Sequence, residues 1–184
     1  MQHLLLDLVI IVGFLLNTVG TLLGGALLLR TYVSWLRIAS RNPLSQFSWA
    51  LTEWLVKPFR NLLPRRTRVD WPCVVAALVV GLLYVLLMRL IGLWPASDWS
   101  LLVPQALGVV VRWGLYMVVF LVIIYAVLSV VNPHAPLAPT FDLLTRPLLA
   151  PFRRVLPVVG GFDLSPLALL LVVMILFALV PLPG

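Results

Sequence analysis

A stretch of 19 residues occurs twice in this chain and constrains its fold more than any other feature. Residues 52–70 read TEWLVKPFRNLLPRRTRVD and residues 145–163 read TRPLLAPFRRVLPVVGGFD, at a constant offset of 93 residues. The repeated motif is defined by Thr52, Pro58, Phe59, Arg60, Pro64 and Asp70 in the first copy, and by Thr145, Pro151, Phe152, Arg153, Pro157 and Asp163 in the second. Each copy lies between two long apolar runs. The repeat predicts two copies of one unit, in which an apolar helix, a basic proline-rich segment and a second apolar helix follow one another.

The composition places the chain among membrane proteins. Of its 184 residues, 62% are hydrophobic and only 10% are charged, whereas an ordinary soluble domain is roughly 45–50% apolar and about 25% charged. The net charge of +7 comes from basic residues that mostly flank the apolar runs. Anionic lipid headgroups are therefore the expected partners, and nucleic acid is not. Cys73 is the single cysteine of the sequence, so no internal disulfide is expected.

The apolar runs predict an all-α membrane protein with four transmembrane helices in two parallel tandem repeats. The first repeat is predicted to cover residues 1–95, with spans at about 4–29 and 72–94. The second is predicted to cover residues 101–184, with spans at about 104–131 and 163–180. A span needs about 20 apolar residues to cross a hydrocarbon core about 30 Å thick, and the last run is short for this task.

Each repeat also contains a segment of mixed polarity, which we predict to be an amphipathic helix in the membrane interface. The first, at about 43–63, begins at Asn42-Pro43, where asparagine suits the N-cap and proline the first helical position. The second lies at about 137–156. Both segments are too polar and too short to span the membrane. Pro58 is expected to break the first helix, because proline lacks a backbone N–H, and Pro64 is expected to end the short turn that follows.

Four residues inside the predicted spans have a possible special role. Gly20 and Gly24 form a GxxxG pair, which allows another helix to approach closely, either within the same bundle or in a homodimer. Arg112 is a charge within the third apolar run, and a charge at mid-membrane costs about 2.5–3.5 kcal/mol. Either this helix begins near Pro104 with Arg112 buried, or its membrane portion begins near Arg112. Asp7 is a possible partner for Arg112, and snorkelling to the outer headgroups is the alternative.

The distribution of charge predicts the orientation. Segments 30–70 and 131–163 hold 11 of the 13 basic residues. Four crossings place both segments on one side, and basic loops stay in the cytoplasm. Both termini are then outside, and the two halves are related by an axis along the membrane normal. The expected location is the cell inner (plasma) membrane.

The sequence resembles the YggT family, which has YlmG-like relatives in plastids. The residues that carry the resemblance are Asn-Pro-x3-Phe at 42–47, Thr-x5-Pro-Phe-Arg-x3-Pro at 52–64, and Asp70 before an apolar helix. The resemblance covers nearly the whole chain, in two copies. It implies a small integral membrane protein linked to osmotic-stress tolerance, cation uptake and membrane-associated assembly, and it implies no defined chemistry.

Arg60 and Arg153 are the strongest candidates for functional residues in the repeated motif. A guanidinium group can bind a lipid phosphate with two hydrogen bonds. It can instead pair with the aspartate of its own repeat, Asp70 or Asp163, as a structural tie. The two aspartates precede apolar helices, and we expect them to cap the positive ends of those helices.

The sequence favours a role without catalysis. It contains no HExxH, CxxC, GxSxG or glycine-rich phosphate loop, so we expect no catalytic residue, metal site or cofactor. The first hypothesis is a scaffold or assembly factor whose basic cytoplasmic face binds anionic lipids or a membrane protein partner, with homo-oligomers possible. The alternative is an ion or small-solute pathway that contributes to osmotic-stress tolerance or cation uptake. A membrane enzyme is a distant third.

Overall fold

The long apolar runs form long helices. A computed structural model describes residues 2–38, 43–61, 69–95, 98–156 and 163–180. The helices are α1 (Gln2–Trp35), α2 (Pro43–Arg60), α3 (Trp71–Leu90), α4 (Leu102–Val131), α5 (Ala138–Arg153) and α6 (Ser165–Leu179), and a short 3-10 turn, Trp99–Leu101, precedes α4. No strand occurs among the described residues, so the prediction of an all-α chain is confirmed for them.

Three helical stretches are long and apolar enough to cross a membrane. They are Leu6–Trp35 with 30 residues, Trp71–Leu90 with 20 and Trp99–Val131 with 33. At about 1.5 Å per residue, even the shortest reaches about 30 Å. The apolar helix Ser165–Leu179 has 15 residues, which corresponds to about 22 Å. A fourth span at 163–180 therefore stays a prediction.

Two helices continue through proline. α2 contains Pro58 and ends at Arg60, and α5 contains Pro147 and Pro151. A proline removes one backbone hydrogen bond and crowds the carbonyl four residues earlier. Helices in proteins gain most of their stability from packing rather than from local propensity, and α2 packs against both α1 and α3. The prediction that Pro58 breaks the first of these helices is therefore wrong.

The N-terminal helices form a first compact unit, which comprises residues Met1–Gly114 with Val180–Gly184 and is called unit 1 here. α1 packs against α2 and α3, and α2 packs against α3. One core cluster contains Tyr84, Val85, Met88, Ala106, Val109 and Trp113. Another contains Leu27, Val56, Cys73, Ala76 and Ala77. The first part of α4 belongs to this unit because Val109 and Trp113 share a core with α3.

Residues Leu115–Leu179 form the second compact unit, called unit 2. In it, α5 packs against α6, and the core contains Val122, Leu149, Leu169 and Val173. The division between the units lies inside α4, after Gly114, and not in the loop between the two predicted repeats. The reason is that successive turns of α4 contact different cores: Val109 and Trp113 belong to a core of unit 1, and Val122 belongs to the core of unit 2.

Gly20 and Gly24 lie directly against aromatic rings of the same unit. A Cβ on Gly20 would lie 3.2 Å from Tyr84 Cδ2 and 3.3 Å from Trp113 Cζ2, and one on Gly24 would overlap the six-membered ring of Trp113. Gly25, next in sequence, has nothing within 4 Å of its Cβ position. The small residues thus create the room that Trp113 needs to be only 2% exposed.

α2 turns its small polar side chains towards the protein. Ser45, Ser48 and Thr52 are buried, whereas the rings of Phe47 and Trp54 are 61% and 64% exposed. In a water-soluble helix the apolar stripe is the buried one. α2 does bury Val56 and partly bury Leu55 and Phe59 in the core of unit 1, but it also buries these polar side chains and leaves the rings of Phe47 and Trp54 outermost.

Candidate functional site

The first copy of the repeated motif surrounds a fully buried arginine of α1, Arg30. Its Nη1 donates to Thr52 Oγ1 at 3.0 Å, and its Nη2 donates to Glu53 Oε2 at 2.8 Å. Its Nε lies 3.6 Å from Asp70 Oδ2. Arg60 Nη1 donates to the other oxygen of Glu53, Oε1, at 2.5 Å. Two guanidinium groups and two carboxylates thus balance each other, and these four residues are called the ion cluster.

Trp49 of α2 covers the ion cluster. The Cζ atoms of Arg30 and Arg60 lie 4.2 Å and 4.8 Å from its ring centroid, within cation–π distance. Burial of a charge is costly unless it is paired and hydrogen-bonded inside the protein. Here the ring, the hydroxyl of Thr52 and the carboxylates compensate the charge, while Arg30 Nε makes an ion pair with Asp70 but no hydrogen bond. The fork of Arg60 is therefore engaged within unit 1. This geometry favours a structural tie over lipid binding for Arg60, but the tie is to Glu53 and not to Asp70, the predicted partner, which faces Arg30 instead.

The second copy uses different partners for the equivalent arginine. Arg153 Nε donates to Asp163 Oδ2 at 2.9 Å, and Arg153 Nη2 donates to the hydroxyl of Tyr125 at 2.6 Å. The Cζ of Arg153 lies 5.7 Å from the centroid of the Tyr125 ring. Arg153 thus ties α4, α5 and the segment before α6 together within unit 2.

The two aspartates of the motif differ in their capping role. Asp163 Oδ1 accepts the backbone N–H of Ser165, the first residue of α6, at 2.9 Å. Asp70 occupies the N-cap position of α3, but its side chain makes no capping hydrogen bond. The prediction of a side-chain cap is therefore wrong for Asp70. The reason is that Arg30 faces its carboxylate, whereas the equivalent position of the second copy is Ile123.

The surroundings of Asp163 lower the pKa of its carboxyl group below the ordinary value. Burial acts in the opposite direction, but hydrogen bonds from Ser165 and the guanidinium of Arg153 favour the carboxylate and outweigh it. The pKa of Arg153 is raised, because its hydrogen bond to Asp163 and the nearby negative charges outweigh the effect of burial. The pair therefore stabilises unit 2 as long as Asp163 is ionised.

Replacing Asp163 with asparagine is expected to remove a pH-dependent part of the stability. Because the folded-state pKa of Asp163 is lowered, its contribution is fully present above the ordinary aspartate pKa and is lost as the pH falls through the lowered value. The unfolding temperature in detergent should be higher for the wild type than for Asp163→Asn at neutral pH, and the two should converge in acid. Asp98→Asn, at an exposed carboxylate, is the control. A difference between wild type and Asp163→Asn that does not depend on pH would contradict this assignment.

Among the remaining residues of the motif, the phenylalanines and Thr145 contribute to helix packing. Phe59 and Phe152 are half-buried against the cores of units 1 and 2, respectively. Pro58 and Pro151 are exposed. Thr145 is buried and donates to the carbonyl of Phe141 at 2.7 Å. Pro64 and Pro157 lie outside the described residues.

Arg112, the predicted intramembrane charge, is hydrogen-bonded to a backbone carbonyl. Arg112 is half-buried in α4, and its Nη1 donates to the carbonyl of Val180 at 2.6 Å, within unit 1. A carbonyl near the end of a helix lacks an intrahelical donor, so the guanidinium satisfies it. Asp7 is an exposed residue of α1, and its pairing with Arg112 stays a prediction.

Sequence reasoning missed four residues that complete the two motif sites: Arg30, Trp49, Glu53 and Tyr125. A signal existed for Arg30, because it follows Leu27 at helical spacing on a face that contains Gly20 and Gly24. An arginine in phase with small and apolar residues points into a bundle rather than outward. Tyr125 could also have been identified from the sequence, because the 93-residue offset relates it to Tyr32, so both repeats have a tyrosine at this position.

Comparisons with known proteins agree with these observations. A profile of the CCB3/YggT family matches residues 9–91 and, again, residues 104–182. The uncharacterised protein YggT of Escherichia coli K12 is 28% identical over 167 residues, which are 89% of this chain and 85% of that protein. An uncharacterised protein in the proC 3′ region of Vibrio alginolyticus is 31% identical over 166 residues, 85% of this chain and 86% of that one. No solved structure matches the chain. The resemblance inferred from the repeated motif is confirmed: the chain belongs to the CCB3/YggT family and contains the family's unit twice.

Proposed function

We propose that this protein is a non-enzymatic scaffold or assembly factor of the inner (plasma) membrane, with a basic cytoplasmic face that binds anionic lipids. The motif arginines hold the scaffold together, and the other basic residues of the same segments meet the lipid. Positive-inside orientation puts both motif segments in the cytoplasm and both termini outside. Reporter fusions at residue 66 and after Gly184 test this orientation.

The exposed aromatic side chains of α2 are the observation that carries the proposal. The hydroxyls of Ser48 and Thr52 donate to backbone carbonyls of α2 itself, while the rings of Phe47 and Trp54 are exposed. Tryptophan concentrates at headgroup depth, where one edge of the ring is apolar and the other polar. Lys57 is exposed one turn beyond Trp54 and can extend its ammonium group towards phosphates. A helix of this kind lies in the interface and anchors the basic segment that follows it.

Charge balance identifies the basic residues that remain for lipid. In segment 30–70, Arg30 and Arg60 are balanced by Glu53 and Asp70 in the ion cluster. The other basic residues of this segment are Arg37, Arg41, Lys57, Arg65, Arg66 and Arg68. Each basic residue near an anionic surface contributes about 1 kcal/mol. The first motif segment should therefore dominate binding to anionic lipid.

The triple variant Arg65→Gln, Arg66→Gln, Arg68→Gln is expected to lose anionic lipid selectively. The full chain, solubilised in detergent, is offered phosphatidylglycerol and phosphatidylcholine with the same acyl chains, and retained lipids are counted by native mass spectrometry. Loss of three charges should weaken phosphatidylglycerol binding by up to about 3 kcal/mol and leave phosphatidylcholine unchanged. Arg154→Gln, at an exposed arginine of the second copy, removes one charge and should have at most a third of the effect.

Two outcomes would contradict the scaffold proposal. Equal loss of both lipids in the triple variant would show that these arginines act through packing rather than through charge. Cation flux through liposomes that contain only the purified protein, above that of protein-free liposomes, would instead support an ion pathway connected with osmotic adaptation.

A further inference from the structure

Unit 2 contains a cleft where α4 ends and α5 begins. Its volume is about 240 Å³, and its lining includes Tyr125, Leu128, Ser129, Pro133, Pro139 and Asp142. The walls are mostly apolar, and Asp142 supplies the only carboxylate among the lining residues. Arg153 already contributes a positive charge near this carboxylate, but its Nε and Nη2 are bonded to Asp163 and Tyr125. A ligand that fits this lining therefore combines a further cationic group with apolar contact.

The first repeat has bulky side chains at the equivalent positions. The 93-residue offset relates Leu128 to Trp35 and Asp142 to Trp49. Trp35 stacks on Tyr32, the counterpart of Tyr125, with ring centroids 6.0 Å apart and planes at 23°. Trp49 lies against the guanidinium groups of the ion cluster. The substitution of two large rings by leucine and aspartate thus accompanies the cleft in the second repeat.

The arrangement around Asp142 favours a primary ammonium group. Recognition of a quaternary ammonium relies on open aromatic faces, but Arg153 already lies over the ring of Tyr125. A primary ammonium has three N–H donors, which suit a carboxylate. Arg146 follows Asp142 by four residues on α5, so their Cβ atoms are about 5–6 Å apart on one face. Arg146 is exposed and presents a fork that matches a phosphate.

Exposed apolar side chains near the C-terminal end of α4 indicate that the ligand comes from the membrane. Val127, Val130 and Val131 are 53%, 63% and 77% exposed. These exposed valines of α4, the carboxylate of Asp142 in the cleft and the exposed guanidinium of Arg146 one turn further along α5 are together complementary to a zwitterionic lipid. We infer that the cleft of unit 2 binds the phosphoethanolamine headgroup of a membrane lipid, with Asp142 on the ammonium and Arg146 on the phosphate.

The first repeat cannot form the same site. The counterpart of Arg146 is Glu53, whose carboxylate oxygens are bonded to Arg30 and Arg60, and Trp49 replaces the aspartate. The inferred site therefore exists once per chain. It shares the membrane location of the proposed function, but it does not depend on the anionic lipid surface of the first motif segment.

Lipid selectivity of the full-length protein tests the inference. Delipidated protein in detergent is offered phosphatidylethanolamine, phosphatidylcholine and phosphatidylglycerol with the same acyl chains, and native mass spectrometry measures which lipids are retained. Wild type should prefer phosphatidylethanolamine over phosphatidylcholine by about tenfold or more, the effect of a hydrogen bond to a charged group. Asp142→Asn should lose this preference while it retains phosphatidylglycerol. Leu128→Trp, which introduces the first repeat's residue, should lose it by filling the cleft.

The controls separate this site from the other proposals. Asp98→Asn, at an exposed carboxylate outside the cleft, should keep the preference. An unchanged preference in Asp142→Asn, or no preference in the wild type, would overturn the inference. If millimolar soluble phosphoethanolamine displaced the lipid, the acyl chains would contribute little to binding. The cleft would then bind the free headgroup compound, and the inference that its ligand is a lipid would be overturned. If the arginine triple variant retained all its phosphatidylglycerol while Asp142→Asn lost its preference, only the anionic-surface proposal would fail.

Discussion

Replacing Arg30 with methionine is expected to destabilise unit 1 by about 3 kcal/mol, the lower end of the range for breaking a buried ion pair. The guanidinium is fully buried and bonds to Thr52 and Glu53 while it faces Asp70. Its removal leaves the carboxylate of Asp70, 19% exposed, without this opposite charge. The effect stays at the lower end because Glu53 keeps Arg60 as a partner. Unfolding curves in detergent, followed by tryptophan fluorescence, measure the change.

Matched variants show whether the effect comes from the ion cluster. Arg154→Met, at an exposed arginine, should change stability by less than about 0.5 kcal/mol. Arg30→Lys should also destabilise the protein, because one ammonium group cannot replace a planar fork with three separate partners. A double-mutant cycle of Arg30→Met with Glu53→Gln should give a coupling free energy of about 0.5–3 kcal/mol. A more stable Arg30→Met variant would show that an apolar side chain serves this position better.

Replacing Gly24 with alanine is expected to destabilise unit 1 by about 3 kcal/mol, the upper end of the usual range for overpacking. The new Cβ would overlap the ring of Trp113, which is 2% exposed and shares a core with Tyr84, Val85 and Met88. The ring cannot move aside without disturbing that core, since protein interiors are close-packed. The measurement is the free energy of unfolding in detergent, together with the emission wavelength of Trp113 in a variant that lacks the other tryptophans.

The neighbouring glycine supplies the control. Gly25→Ala adds a Cβ that meets nothing within 4 Å, so it should be neutral or stabilising by up to about 1 kcal/mol, the difference in helix propensity between the two residues. If the two alanine variants had the same stability, the close approach of Trp113 to α1 would not contribute to folding.

The sequence alone determined the helical class, the apolar stretches and the duplicated motif. These properties are local: hydropathy over about 20 residues identifies a span, and a constant offset identifies a repeat. The same reasoning failed at Pro58, because a local rule about proline does not include the packing of α2 against α1 and α3.

Only the tertiary structure decided which groups the motif residues meet. Arg60 and Arg153 occupy equivalent positions in the sequence, yet one binds Glu53 and the other binds Asp163 and Tyr125. Part of the difference lies in the repeated stretch itself, where Glu53 of the first copy corresponds to Arg146 of the second. The rest lies in the preceding helix, where α1 has Arg30 and the equivalent residue of α4 is Ile123. A buried guanidinium attracts the carboxylates around it, and the packing of α1 against α2 and α3 determines which carboxylates it can reach. The repeat therefore predicted two similar segments, and the neighbours that each helix acquired on folding gave them different ion pairs.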